Sequence, residues 1–95
     1  STQKGVRAGY LLDVSKAGSY QMIFKMHSGE NPFAQLPVSI FVNGVLQQTT
    51  TFNGTDNKII KRAVTISFPE SGENQLTLFF GESGVRMDEI LLVQE

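Results

Sequence analysis

Apolar and polar residues alternate along most of this chain, and that period of two constrains the fold more than any other feature. From Tyr20 to Met26 every second residue is large and apolar, and Gln21 and Lys25 lie between them. Successive side chains of a strand point to opposite faces, so this alternation predicts a strand with one buried face. The same rhythm recurs in residues 6–14, 38–42, 64–68, 76–80 and 88–92. It predicts seven or eight short strands and no helix.

Turn residues separate these runs. Asn43-Gly44 stands directly between Val42 and Val45, and this dipeptide favours the type I′ turn of a β-hairpin because both residues tolerate positive φ. The segments 28–37 and 53–58 are rich in glycine, proline, asparagine and aspartate, which predicts loops. Many short strands joined by such turns are typical of an all-β sandwich or barrel.

Composition sets the limits on function. The 95 residues predict one domain, 1–95, with 40% hydrophobic and 18% charged residues. The net charge of −1 lacks the basic excess of nucleic-acid binders, and no apolar run approaches the ~20 residues of a membrane span. There is no cysteine, and His27 is the single histidine, on the polar phase of its strand. We therefore expect no nucleic acid partner, no membrane partner and no catalysis, because a nucleophile–base pair needs a base.

Four segments resemble the signatures of family 6 and family 35 carbohydrate-binding modules, in the same order and spacing. Residues 10–20 are similar to Y-x-V-x-V-x-x-A-G-x-Y, and residues 38–44 are similar to l-x-v-x-V-N-G. Residues 68–78 resemble L-x-x-G-x-N-t-I-x-L, and residues 86–93 resemble N-i-D-x-I-x-v. The resemblance implies an antiparallel β-sandwich of jelly-roll type, sugar binding in loops at one end, and often a structural calcium ion.

The chain departs from the family pattern at three places. Modules of this type begin with a further strand or two, so the resemblance implies a sandwich lacking N-terminal strands, either as a shortened variant or as a fragment. The family's sugar-stacking tryptophan would fall near Lys61, and its asparagine before the last strand would fall at Arg86. A missing strand leaves an unpaired sheet edge, which predicts a strand-mediated dimer or a partner chain that completes the sheet.

Sugar binding needs an apolar surface for the C–H groups of the ring and polar groups for the hydroxyls. Phe33 and Phe52 flank loops and are candidates for an exposed platform, whereas the alternative is that each anchors its loop in the core. Asn57 and Arg86, together with Asn53 and Asp56, are loop polar groups that suit hydroxyl contacts; the alternative for each is a solvated turn residue.

Two further hypotheses concern charge. Lys58, Lys61, Arg62 and Arg86 would hold an acidic sugar if their loops converge, and ordinary surface charge is the alternative. Asp88 matches the family's carboxylate near a calcium site. Calcium needs six to eight oxygen ligands, so Asp88 and Glu89 alone do not suffice, and a polar residue at a strand start is the alternative.

The resemblance gives the functional expectation. It implies a secreted, extracellular, non-catalytic module that binds a polysaccharide or oligosaccharide and targets it for an attached catalytic domain, a glycoside hydrolase or lyase. The alternative is a structural or protein-interaction β-sandwich that has lost the sugar site, which the absence of tryptophan favours.

Overall fold

The computed structural model describes residues 3–95, which form seven strands in two antiparallel sheets. The four-stranded sheet has the order β1-β6-β3-β4, and the three-stranded sheet has the order β5-β2-β7. The strands are β1 Arg7–Val14, β2 Gly18–Ser28, β3 Gln35–Val42, β4 Val45–Asn53, β5 Ile60–Phe68, β6 Gly72–Phe80 and β7 Val85–Gln94. This architecture confirms the predicted all-β sandwich. Within residues 3–95 no helix has the length and hydropathy to cross a membrane.

The two sheets bury their alternating apolar faces against each other. Along β2 the residues that were predicted to be buried are the buried ones. They pack against side chains of the other sheet; the rings of Phe24 and Phe52, for example, make an edge-to-face contact with their centroids 5.8 Å apart. Burying each such aromatic or aliphatic side chain contributes about 1.5–3 kcal/mol. The buried apolar core consists of Val14, Tyr20, Met22, Phe24, Met26, Leu36, Val38, Ile40, Val42, Phe52, Ile66, Phe68, Leu76, Leu78, Phe80 and Val85.

The predicted hairpin joins β3 to β4. Asn43 and Gly44 both have positive φ, 50° and 81°. This is the backbone that a type I′ turn requires, and it explains why asparagine and glycine stand there.

Three loops lie together at one end of the sandwich. Strands β2, β4 and β6 end there, and β3, β5 and β7 begin there, because neighbouring strands run antiparallel. We call this end, formed by residues 29–34, 54–59 and 81–84, the loop end. Its loops connect one sheet to the other, so their backbones are held close to one another.

Candidate functional site

A buried hydrogen-bonded pair holds two of the loops together. The Ser28 N–H donates to the Thr55 hydroxyl at 2.9 Å, and that hydroxyl donates to the Ser28 carbonyl at 3.0 Å. The Thr55 N–H lies 3.3 Å from the Ser28 hydroxyl, and the Asn57 N–H donates to the Ser28 carbonyl at 2.7 Å. Both side chains are buried, so these bonds fix the loop 54–59 against the end of β2.

Glycine at position 54 permits the closest backbone approach of the loop end. A Cβ at Gly54 would lie 1.9 Å from the Asn31 carbonyl oxygen and 2.5 Å from the Glu30 carbonyl oxygen. No side chain fits in that space, so glycine is required there for packing. The loops 29–34 and 54–59 therefore form one rigid unit.

Phe33 stands at the tip of this unit with its ring in solvent. Its side chain is 92% exposed. The backbone beneath it is fixed: the Phe33 N–H donates to Asn31 Oδ1 at 2.9 Å, and the Ala34 N–H donates to the Asn31 carbonyl at 3.0 Å. The Asn53 amide donates to the Pro32 carbonyl at 2.9 Å. A large apolar ring is thus held out in water by a loop that these three hydrogen bonds fix.

Exposed polar groups of the loop 54–59 share the same end. Asp56 and Asn57 have positive φ, 51° and 66°, and both side chains are exposed. Asn57 Oδ1 lies over Gly29, where a Cβ would be 3.5 Å from it. Asn57 is thus a turn residue, which was the alternative interpretation of the sequence, and it is also an accessible hydrogen-bonding group.

Phe52 is not part of an exposed platform, and this prediction was wrong. Its side chain is 0% exposed and packs inside the sandwich against Phe24. The guanidinium of Arg62 covers it, with Cζ 4.9 Å from the ring centroid, and also donates to the Thr51 carbonyl. Phe52 therefore anchors the core, and Arg62 is engaged between β5 and β4.

Lys61 and Arg86 lie on the outer face of the three-stranded sheet, whereas Lys58 lies exposed in the loop 54–59. Lys61 on β5 is opposite Lys25 of β2, and Arg86 on β7 is opposite His27 of β2. Both lie within the first two residues of their strands, at the border of the loop end. Strand β2 separates Lys61 from Arg86, and Arg62 lies over Phe52, so the four basic residues do not converge as the acidic-sugar hypothesis required.

Asp88 pairs with the histidine. A β-bulge places Lys25 opposite Glu89 and Met26 opposite Met87, so Asp88 is the extra residue of β7. Asp88 Oδ2 lies 2.7 Å from His27 Nδ1. Within residues 3–95, no three His, Cys, Asp or Glu side chains group together in a way that would hold a metal ion. The described acidic side chains around Asp88 therefore do not by themselves make a calcium site, which needs six to eight oxygen ligands.

The His27–Asp88 pair lacks the other parts of a hydrolytic site. In a catalytic triad the second ring nitrogen of histidine takes the proton of a nucleophile. Here the pair lies on a sheet face, and no side chain among residues 3–95 hydrogen-bonds the other nitrogen of His27.

A cleft of about 380 Å³ opens between β1 and β7. Tyr10 and Leu12 line it from β1, and Ile90 and Leu92 line it from β7. Tyr10 follows the inward phase of β1 but is partly exposed, because the sandwich is not closed on this side. The alternation of the sequence gives no indication of this opening, since it specifies faces and not which edges are covered.

The sequence was compared with families and individual proteins of known type. No protein-family model matches the chain. A β-glucosidase of Ruminococcus albus is 32% identical over 90 residues, which cover 95% of this chain and 10% of the enzyme. The chain thus spans about a tenth of the length of that relative.

Solved structures give the same architecture. A family 35 carbohydrate-binding module from an environmental isolate superposes with a TM-score of 0.85 and 18% identity, over 98% of this chain and 69% of the module. The C-terminal family 6 module of a marine laminarinase from Zobellia galactanivorans superposes with a TM-score of 0.83 and 14% identity, over 97% and 75%. The chain therefore has the fold of family 35 and family 6 carbohydrate-binding modules, as the sequence signatures implied.

Proposed function

We propose that this chain is a non-catalytic carbohydrate-binding module that holds a polysaccharide or oligosaccharide at its loop end. The observation that carries the proposal is the ring of Phe33, which is 92% exposed on a loop that hydrogen bonds from the Phe33 N–H and the Asn53 amide hold in place. Leaving a phenyl ring in water forgoes about 1.5–3 kcal/mol of burial, and a ligand that covers the ring recovers it. The shared fold with carbohydrate-binding modules supports the same reading.

The chemistry of the loop end suits a sugar ring. A phenyl face packs on the C–H groups of a pyranose, and polar groups beside it bond to hydroxyls. Phe33 supplies the ring, and Asn57 supplies an amide that both donates and accepts. Because the loop is fixed before binding, little conformational entropy is lost when the sugar docks.

Lys61 and Arg86 add a positively charged surface beside the proposed sugar site. Both are exposed at the border of the loop end, on the outer face of the three-stranded sheet. A sugar chain that leaves Phe33 toward this face would meet cations, and guanidinium and ammonium groups bind carboxylates through charge-assisted hydrogen bonds. We assign these two residues to acidic sugar units and not to the stacking position.

The match to a β-glucosidase supports the proposal that this module is attached to a catalytic domain. The chain matches a tenth of the length of a β-glucosidase from Ruminococcus albus. We infer an extracellular parent protein in which this module concentrates a catalytic domain, a glycoside hydrolase or lyase, on its polymer. The role of the module is then to raise the local substrate concentration.

A protein-interaction role is the second candidate, and the open cleft between β1 and β7 favours it. It does not exclude sugar binding, because the cleft lies along the side of the sandwich and Phe33 lies at its end. The strand-mediated dimer expected from the sequence belongs to this second role.

Affinity electrophoresis through gels that contain single polysaccharides tests the proposal. Phe33→Ala should weaken binding to the retarding polymer about tenfold or more. Leu46→Ala is the matched control, since it removes an apolar side chain that is 54% exposed on β4 and should leave retardation unchanged. Equal retardation of the wild type and Phe33→Ala on every retarding polymer would overturn the role of Phe33.

A comparison of uronate-containing and neutral polymers tests the roles of Lys61 and Arg86. Lys61→Gln and Arg86→Gln should weaken binding to uronate-containing polymers and leave binding to neutral polymers unchanged. Loss on both kinds of polymer, or on neither, would contradict the assignment of these residues to acidic units.

A further inference from the structure

One peptide group carries the exposed ring of Phe33, and asparagine side chains bind both of its polar atoms. The Phe33 N–H donates to Asn31 Oδ1, and the Pro32 carbonyl accepts from Asn53 Nδ2, each at 2.9 Å. Asn31 belongs to the same loop as Phe33, whereas Asn53 is the last residue of β4. The peptide between Pro32 and Phe33 is therefore held from two separate segments of the chain.

The ring itself has almost no packing that would fix it. The side chain of Phe33 is 92% exposed, so neighbouring side chains cover very little of it. A ring in a core is oriented by the side chains that interdigitate with it, but an exposed ring takes its position from the backbone to which it is attached. The direction in which Phe33 projects thus depends on the Pro32–Phe33 peptide.

The main chain below this peptide is fixed without help from either asparagine side chain. The Asn31 carbonyl accepts from the Ala34 N–H at 3.0 Å, and the Ala34 carbonyl accepts from the Gly54 N–H at 3.1 Å. Proline at position 32 also restricts φ of its own residue. Loss of a side-chain bond to the Pro32–Phe33 peptide should therefore loosen this peptide and leave the loop end folded.

From these contacts we propose that Asn31 and Asn53 are positioning residues for sugar binding, which act through Phe33 and not through contact with the sugar. This role rests on the proposed function, because it concerns the same ring. Two asparagines that hold the peptide before binding restrict the directions in which the ring projects. Less conformational entropy is then lost when a sugar covers the ring, and this strengthens binding.

The two asparagines use opposite ends of their amides. A backbone N–H needs an acceptor, so Asn31 presents its oxygen, and a carbonyl needs a donor, so Asn53 presents its nitrogen. An ionised aspartate keeps the acceptor and has no donor. Aspartate can therefore replace Asn31 and cannot replace Asn53, although both residues are exposed and both substitutions add the same charge to the loop end.

Affinity electrophoresis with neutral polysaccharides, read against migration in gels without polymer, tests the proposal. Asn53→Asp should weaken binding about three- to tenfold, and Asn31→Asp should bind like the wild type. Asn31→Ala removes the acceptor and should lose about as much affinity as Asn53→Asp. Equal affinities of Asn31→Asp and Asn53→Asp would overturn the proposal, as would wild-type binding by Asn31→Ala.

Fluorescence anisotropy measures the positioning directly and needs no sugar. In the Phe33→Trp background the indole is the single tryptophan, since the natural chain contains none. Asn53→Asp and Asn31→Ala should lower its anisotropy, because a loosened peptide lets the indole move more freely on the nanosecond timescale, whereas Asn31→Asp should leave it unchanged. The same anisotropy in all three variants would contradict the positioning role even if the affinity fell.

Phe33→Ala separates the role of the ring from the role of its two asparagines. Wild-type binding by Phe33→Ala would overturn the sugar site itself, and the positioning role with it. Weak binding by Phe33→Ala together with wild-type binding by Asn53→Asp would overturn the positioning role alone. Thermal unfolding checks that each variant folds; if Asn53→Asp does not, Asn31→Ala and Asn31→Asp carry the test, because they compare loss and retention of the acceptor at one position.

Discussion

The side-chain amide of Asn43 donates a hydrogen bond to Oδ1 of Asn74 at 2.8 Å. The two residues belong to segments far apart in the sequence, the β3–β4 hairpin and the start of β6. Asn43 Oδ1 also accepts from the Gln75 N–H, and the buried Asn74 amide donates to the carbonyls of Glu70 and Gly72. Two asparagines of the family-like signatures thus meet, which gives these positions a structural reason independent of any ligand.

Asn74→Asp should destabilise the chain at neutral pH although it barely changes shape. The new carboxylate would face two carbonyl oxygens and lose both amide donors, at a cost of about 1–3 kcal/mol or more in a buried site. Gln75→Glu adds the same charge at the next, exposed residue and should change unfolding by less than about 0.5 kcal/mol. Urea unfolding at pH 7 measures both, and equal stability of the two variants would contradict the role of Asn74.

The loss caused by Asn74→Asp should depend on pH. Burial and the facing carbonyls would raise the pKa of the new carboxyl in the folded state above its unfolded value. The penalty is then complete above the folded-state pKa and shrinks as the pH falls from the folded-state pKa to the unfolded value, because the neutral carboxyl regains a donor. Unfolding at pH 4 and pH 7 should show the smaller loss at pH 4.

Gly54→Ala should destabilise the loop end, since its Cβ would collide with the carbonyl oxygens of Asn31 and Glu30. The backbone must shift, at a cost of about 1–3 kcal/mol. Gly9→Ala is the control, because a Cβ at Gly9 meets nothing within 4 Å and its φ is not positive. We expect a lower thermal midpoint for Gly54→Ala alone; a similar midpoint for both variants would show that the two loops are not rigidly packed.

Sequence reasoning located the strands well because the signal is local. In β2, β3 and β6 the buried residues alternate without interruption, so the inward phase can be read directly. In β4 the inward phase holds Gln48, Thr50 and Phe52, and the two polar residues conceal which face is buried. Because Phe52 also flanks a loop, the sequence allowed both an exposed platform and a core anchor, and the structure shows the core anchor.

The candidate site was harder to predict than the strands. It depends on a break in the two-residue alternation of β7 and on contacts between loops that are distant in the sequence. The bulge at Asp88 shifts the phase of β7 and brings its carboxylate to His27. Nothing in the sequence near Asp88 marks that bulge. The Asn31 side chain that holds the Phe33 turn was missed too, although asparagine two residues before a loop position is a known turn signal.

Thr55→Val should reveal the energetic weight of the buried Ser28–Thr55 pair. The substitution keeps the side-chain volume but leaves the Ser28 N–H without its acceptor, which costs about 1–3 kcal/mol. Thr49→Val is the control, because Thr49 bonds Ser39 on an exposed face and should change stability by less than about 0.5 kcal/mol. Equal urea midpoints for the two variants would indicate that the loop 54–59 is held by other contacts.

Calcium should have little effect on residues 3–95, because Asp88 is paired with His27 and lacks further acidic neighbours for a metal. Thermal unfolding in millimolar calcium and in chelator should give the same midpoint. Asp88→Asn should cost at most about 1 kcal/mol, as expected for a partly exposed hydrogen bond between side chains. A calcium-dependent rise of several degrees that Asp88→Asn abolishes would restore the family-type calcium site.

Phe33→Trp should strengthen sugar binding and report on it directly. The indole has a larger apolar face than the phenyl ring, and the fixed loop leaves room for it because Phe33 projects into solvent. The chain contains no other tryptophan, so the fluorescence comes from this position alone. Titration with the retarding oligosaccharide should shift the emission to shorter wavelength and give a dissociation constant equal to or below that of the wild type. Leu46→Trp, at a residue of β4 that is 54% exposed, should give no shift. An unchanged spectrum for Phe33→Trp at saturating sugar would place the binding surface elsewhere.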